Sequence, residues 1–143
     1  MDDAESDSER IGRSYLRVFN DRNLDILDEL LHPDFVSHLR VGELRGVEPF
    51  RQMMRGFYDA FPDARWFVDE WVFTENRVVL RYHCEGTQVA AFLGIPATQK
   101  RVRVEGLELL HLKDRQIVEV WNYSDLMGLA AQLQAPDPLA MEA

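Results

Sequence analysis

Apolar residues in the first third of the chain recur at the spacing of a helix face. Ile11, Tyr15, Val18 and Phe19 form one such stripe, and the polar run at residues 20–23 breaks it, which predicts a helix over residues 11–19. Asn23 is a residue type suited to an N-cap, and Leu24, Leu27, Leu30 and Leu31 repeat the spacing after it. This second helix is short, because Pro33 disfavours helical geometry before it and sets the end at His32. Residues 34–41 read as an extended connector, and Gly42 and Gly46 bracket a turn. Val47, Phe50, Met54, Phe57 and Phe61 then mark a third helix, closed by Pro62.

The period changes in the second half. Residues 64–74 and 77–88 are rich in β-branched and aromatic side chains, with Glu75-Asn76 as the turn between two strands. Gly94 and Pro96 make residues 92–98 a loop. Two more strands, 100–112 and 116–123, are joined through Asp114-Arg115, and residues 126–133 form a short last helix. Five acids in residues 1–9 make an acidic lead or the negative first turn of a helix, and the tail from Gln134, with two prolines, reads as loosely ordered. Helices first and a curled, largely antiparallel sheet afterwards predict an α+β domain whose helices cover one concave face. Such a cone encloses an apolar pocket, the default place for function.

Composition narrows the classes. A chain of 143 residues with 46% apolar content suits a single domain with one substantial core. A net charge of −9 opposes nucleic acid and anionic membrane surfaces, and no run approaches the roughly 18 apolar residues of a membrane span. The lone Cys84 and the lack of a basic-then-apolar leader fit a cytoplasmic protein. Asn122-Tyr123-Ser124 matches a glycosylation acceptor, a chance match without a secretory signal. The four histidines form no HxH or HExxH pair and no cysteine cluster exists, so a metal-free, cofactor-free chemistry is expected. Lys100, Arg101 and Arg103 read as a solvated guard on a strand edge.

Several motifs occur in a telling order: Asn20, His32-Pro33-Asp34-Phe35, Gly46, Phe61-Pro62-Asp63, Phe92-Leu93-Gly94-Ile95-Pro96-Ala97-Thr98, Ile117-Val118-Glu119-Val120-Trp121 and Asp125-Leu126-Met127-Gly128-Leu129. This series resembles the SnoaL-like polyketide cyclases, members of the nuclear transport factor 2-like superfamily of cone-shaped α+β folds. The resemblance spans residues 11–134. It implies a small homodimeric enzyme without cofactor that closes a carbocycle by an aldol-type step, using an aspartate as acid and base. Its ligand would be a small apolar or aromatic molecule. Two departures stand out. Gln88 occupies a stretch, Gly86 to Ala90, where such cyclases commonly have a histidine, and Phe19 and Met53 stand where the better-known ring closers tend to be polar.

Asp125 is the leading catalytic candidate. It precedes the last helix, where an aspartate caps free amides, and a carboxylate at the rim of an apolar cavity has its pKa moved toward the range of proton shuttles. His111, in Leu109-Leu110-His111, and His38, beside the expected pocket mouth, are the possible partners. Trp121, Glu108, Phe19, Met53, Met54, Phe57, Tyr15 and Phe92 are the expected substrate contacts. A regular ladder through the Asp114-Arg115 turn places Glu108, Trp121 and Tyr123 on one face and His111 on the other; a bulge would exchange these faces. Three functions fit: a natural-product cyclase or isomerase; an epoxide-opening enzyme using Glu108 and Asp125; and a non-catalytic binding or dimerisation module.

Overall fold

The computed structural model describes residues 6–40 and 42–135. Residues 1–5 of the acidic lead and residues 136–143 of the tail lie outside this description. The first helix, α1 (Asp7–Asp21), begins where the Ser6 hydroxyl accepts the Glu9 backbone N–H, with Asp7 and Glu9 complementing its positive end. It ends at Arg22, which adopts the left-handed conformation at φ 59°. The predicted stripe Ile11, Tyr15, Val18 and Phe19 is its buried face. Gly12 lets the helix lie close to the sheet, since a β-carbon there would meet Val78 Cγ1 at 3.0 Å.

The second helical segment is shorter than its leucine pattern predicts. A 3₁₀ turn (Leu24–Ile26) runs into one turn of α-helix, α2 (Leu27–Leu30), and Asn23 makes no side-chain capping bond. The chain is already extended at Leu31, because Pro33 forces extended geometry just upstream and Leu31 pairs with Ile117 in the sheet. The connector is therefore two strands, β1 (Leu31–Leu39) and β2 (Gly42–Arg45). Helix α3 (Val47–Ala60) follows, then β3 (Arg65–Phe73), β4 (Arg77–Thr87), β5 (Arg101–Lys113), β6 (Gln116–Ser124) and α4 (Leu126–Gln134).

These six strands form one mixed sheet of order β2-β1-β6-β5-β4-β3, in which β1 and β6 run parallel and every other neighbouring pair is antiparallel. This is the nuclear transport factor 2-like α+β fold. Helices α1 and α3 pack their apolar faces against the concave side, where Phe19, Phe35, Phe50, Val78 and Leu110 belong to the main core. A second cluster of Phe61, Cys84, Val102, Leu129 and Leu133 is closed by α4. No helix among the described residues is long and apolar enough to cross a membrane.

One irregularity decides which side chains face inward. Across the β5–β6 turn Leu112 pairs with Ile117, yet His111 pairs with Glu119, so Val118 is an extra residue in β6. The turn itself holds Asp114 and Arg115 at φ 53° and 62°, the geometry of a tight two-residue hairpin. Beyond the bulge Glu108 faces Asn122, and Leu109 faces Trp121. The regular ladder is thereby replaced by its alternative: Glu108 shares a face with Asn122, while Trp121 shares one with His111.

Candidate active site

Between the helices and the inner sheet lies a cavity of about 410 Å³. Tyr15 and Phe19 of α1 and Met53, Met54 and Phe57 of α3 form one wall. Leu80, Tyr82, Val104, Glu108 and Asn122, projecting inward from alternate strand positions, form the other. Phe92 closes one side from the loop after β4. The fold thus brings seven of the eight expected contacts to one space: Tyr15, Phe19, Met53, Met54, Phe57, Phe92 and Glu108.

Gln88 explains how Phe92 is held there. Its side chain is fully buried and its amide nitrogen donates to the Ile95 carbonyl at 2.9 Å. Its amide oxygen accepts from the Thr98 backbone N–H at 3.0 Å and from the Thr98 hydroxyl at 2.7 Å. Phe92 and Ile95 exchange backbone hydrogen bonds around Leu93 and Gly94, both at positive φ. Gln88 is therefore an amide that fixes a loop.

Arg40 and Ser124 are among the cavity's polar residues, and three others are connected to one another. Asn122 Nδ2 donates to Glu108 Oε2 at 2.7 Å and to the Tyr82 hydroxyl oxygen at 2.9 Å. The buried Tyr15 hydroxyl lies against the Glu108 carboxyl without reaching hydrogen-bonding geometry. Burial pushes the Glu108 pKa up, and the Asn122 bond and the Tyr15 hydroxyl only partly oppose it. Glu108 is the only carboxyl in the cavity lining among the described residues. The arrangement can hold an apolar polycycle and exchange one proton with it.

The other candidates stand elsewhere. Asp125 is exposed and caps α4, its Oδ1 accepting the Gly128 N–H at 2.9 Å. A side chain at Gly128 would collide with this cap, the β-carbon falling 2.2 Å from Asp125 Oδ2. Asp125 borders an adjoining outer groove with Arg40, Arg81 and Tyr123, and this groove shares Arg40, Tyr82 and Ser124 with the cavity lining. Trp121 lies on the convex face, with the His38 ring stacked on it at 4.8 Å and the His111 ring tilted against it at 4.5 Å. His38 Nε2 meets the Glu119 carboxyl at 2.5 Å, while burial, aided by Arg77 and opposed by Glu119, lowers the His111 pKa. Asn122 and Tyr82 are site residues that the sequence reading missed. Asn122 was visible only as part of a glycosylation-like triplet, and Tyr82 carried no signal beyond strand alternation.

A family model for SnoaL-like polyketide cyclases matches residues 9–133. The chain belongs to this family. Among characterised members it is similar to the aklanonic acid methyl ester cyclase of Streptomyces sp. strain C5, at 30% identity over 115 residues, covering 79% of this chain and 70% of that protein. The nogalonic acid methyl ester cyclase of Streptomyces nogalater is 26% identical over 124 residues, covering 85% of this chain and 92% of its own. Of the solved structures, TsrD from Streptomyces laurentii matches with a TM-score of 0.81 at 28% identity, covering 91% of this chain and 96% of that one. The Gly-Ile-Pro loop and the block from Ile117 to Leu129, which carried the resemblance in the sequence, both fall inside the family match.

Proposed function

We propose that this protein is a cofactor-independent cyclase, closing a ring in a polyketide-type intermediate with Glu108 as the acid and base. The observation that carries this reading is a single carboxyl of raised pKa in the wall of a mostly apolar cavity. In the step envisaged, the Glu108 carboxylate takes a proton from a carbon flanked by carbonyls. The electron pair left behind forms an enolate, whose carbon bonds to a second carbonyl carbon. The π pair of that carbonyl becomes an alkoxide, and the alkoxide takes the proton from Glu108. Substrate and product are isomers. Asp125, which is not itself in the cavity lining, caps α4 and so supports Leu126 and Leu129 of the cavity wall in this reading, and it does not move the proton. An epoxide-opening reaction by two carboxyls is less well supported, since Glu108 has no carboxyl partner in the lining among the described residues.

The substrates named for the two relatives, aklanonic and nogalonic acid methyl esters, are the compounds to test first. Purified protein without added cofactor is expected to convert one of them to a product of unchanged mass, and Glu108→Gln to lose that conversion. A product formed with loss or gain of atoms would overturn the isomerisation. We also propose a homodimer that covers the convex face around Tyr123 and Leu107, which are 52% and 38% exposed. Sedimentation should give twice the 16.7 kDa chain mass, and a monomer at micromolar concentration would contradict it.

A further inference from the structure

We propose that Tyr82 is a second catalytic residue of this cavity, donating its hydroxyl hydrogen to the substrate oxygen on which negative charge collects during ring closure. The inference rests on the reading of Glu108 as the proton-transfer group. It begins with the hydrogen count on Asn122. A side-chain amide nitrogen carries two hydrogens, and Asn122 directs its nitrogen at both Glu108 Oε2 and the Tyr82 oxygen. Tyr82 is therefore the acceptor in that contact, and its own O–H donates to nothing among the described residues. The residue is 7% exposed and lines the mostly apolar cavity where it adjoins the outer groove. An O–H left without an acceptor in such surroundings is destabilising, and an oxygen of the ligand would satisfy it.

The strand beside it is shaped to hold Tyr82 in this place. Tyr82 pairs directly with Gly106 across β4 and β5. A β-carbon at position 106 would lie 2.5 Å from the Tyr82 hydroxyl oxygen and 2.6 Å from Cζ. Glycine at 106 is thus what allows the ring to lie across its neighbour and reach Asn122. Burial, with Glu108 adding to it, raises the Tyr82 pKa, so the hydroxyl keeps its hydrogen and serves as a neutral donor. Asn122 consequently links the two groups that the reaction needs: it fixes the carboxyl that moves the proton and the hydroxyl that meets the developing oxyanion. A donor so placed before reaction strengthens its bond as charge develops.

The test uses 2-naphthol, whose ionised form carries an oxyanion on a flat apolar frame, and naphthalene, which has the frame alone. Binding is measured to Glu108→Gln, which removes the competing negative charge, and to Glu108→Gln/Tyr82→Phe. The double variant is expected to bind 2-naphtholate about 10- to 100-fold more weakly than the single one, the usual range for a hydrogen bond to a charged group, and naphthalene equally well. Equal or absent 2-naphtholate binding in both variants overturns the proposal, as does a parallel loss for naphthalene, which would mark Tyr82 as packing only. The role of Glu108 is judged separately, by turnover of Glu108→Gln, because the binding comparison holds that substitution constant.

Discussion

The extra residue at Val118 turns Trp121 to the convex face and brings Asn122 beside Glu108. The raised pKa of Glu108 has a consequence for stability whose sign follows from its cause. The folded state holds the Glu108 proton to a higher pH than the unfolded chain does. Its contribution is therefore present in full below the ordinary glutamate value and is lost as pH rises through the folded value. Glu108→Gln has nothing to ionise. Its melting temperature relative to wild type should increase from about pH 4 upward and level off once the wild-type group is ionised. A difference independent of pH would show that Glu108 is solvated. At this scale the sequence was half legible: apolar contacts such as Phe19, Met54 and Phe57 followed from helix periodicity. Asn122 and Tyr82 did not, because a bulge is a backbone event that shifts every later side chain by one face and no residue type announces it.

Among the elements, α4 and the loop after β4 depend on single polar side chains. Asp125→Ala removes the cap at Gly128 and should lower stability by about 0.5–2 kcal/mol in chemical denaturation, while Asp125→Asn stays near wild type. A large loss of turnover in folded Asp125→Asn would return the proton to Asp125. Gln88→Leu leaves the Ile95 carbonyl and the Thr98 groups without their buried partner. A loss of about 1–3 kcal/mol is expected, with faster amide exchange over residues 92–99 and a higher KM as Phe92 loosens. Unchanged exchange in that loop would show that its backbone bonds suffice. The strands and the long helices were legible from their periods, whereas α2 was not. Its leucines continue the helical pattern to Leu31, but the proline restriction and the pairing of Leu31 with Ile117 outweigh helix propensity.

Taken as a whole molecule, the cone places an apolar cavity and one buried carboxyl where α1, α3 and the inner sheet meet, and keeps the histidines and the helix-capping aspartate outside it. The order of helices and strands could be read from the sequence, and so could the family, since both rest on local patterns distributed along the chain. Which of two acids lines the cavity could not, because it depends on where β6 is bulged and where the chain turns into α4. The most direct measurement compares turnover of Glu108→Gln and Asp125→Asn with wild type, on one substrate that the wild-type protein cyclises, after both variants are shown to be folded. Glu108→Gln is expected to be slower by roughly 10²- to 10⁴-fold, the usual range for general acid–base catalysis, and Asp125→Asn close to wild type. A Glu108→Gln variant that retains full turnover would contradict the central role of Glu108, all the more so if Asp125→Asn has lost its own.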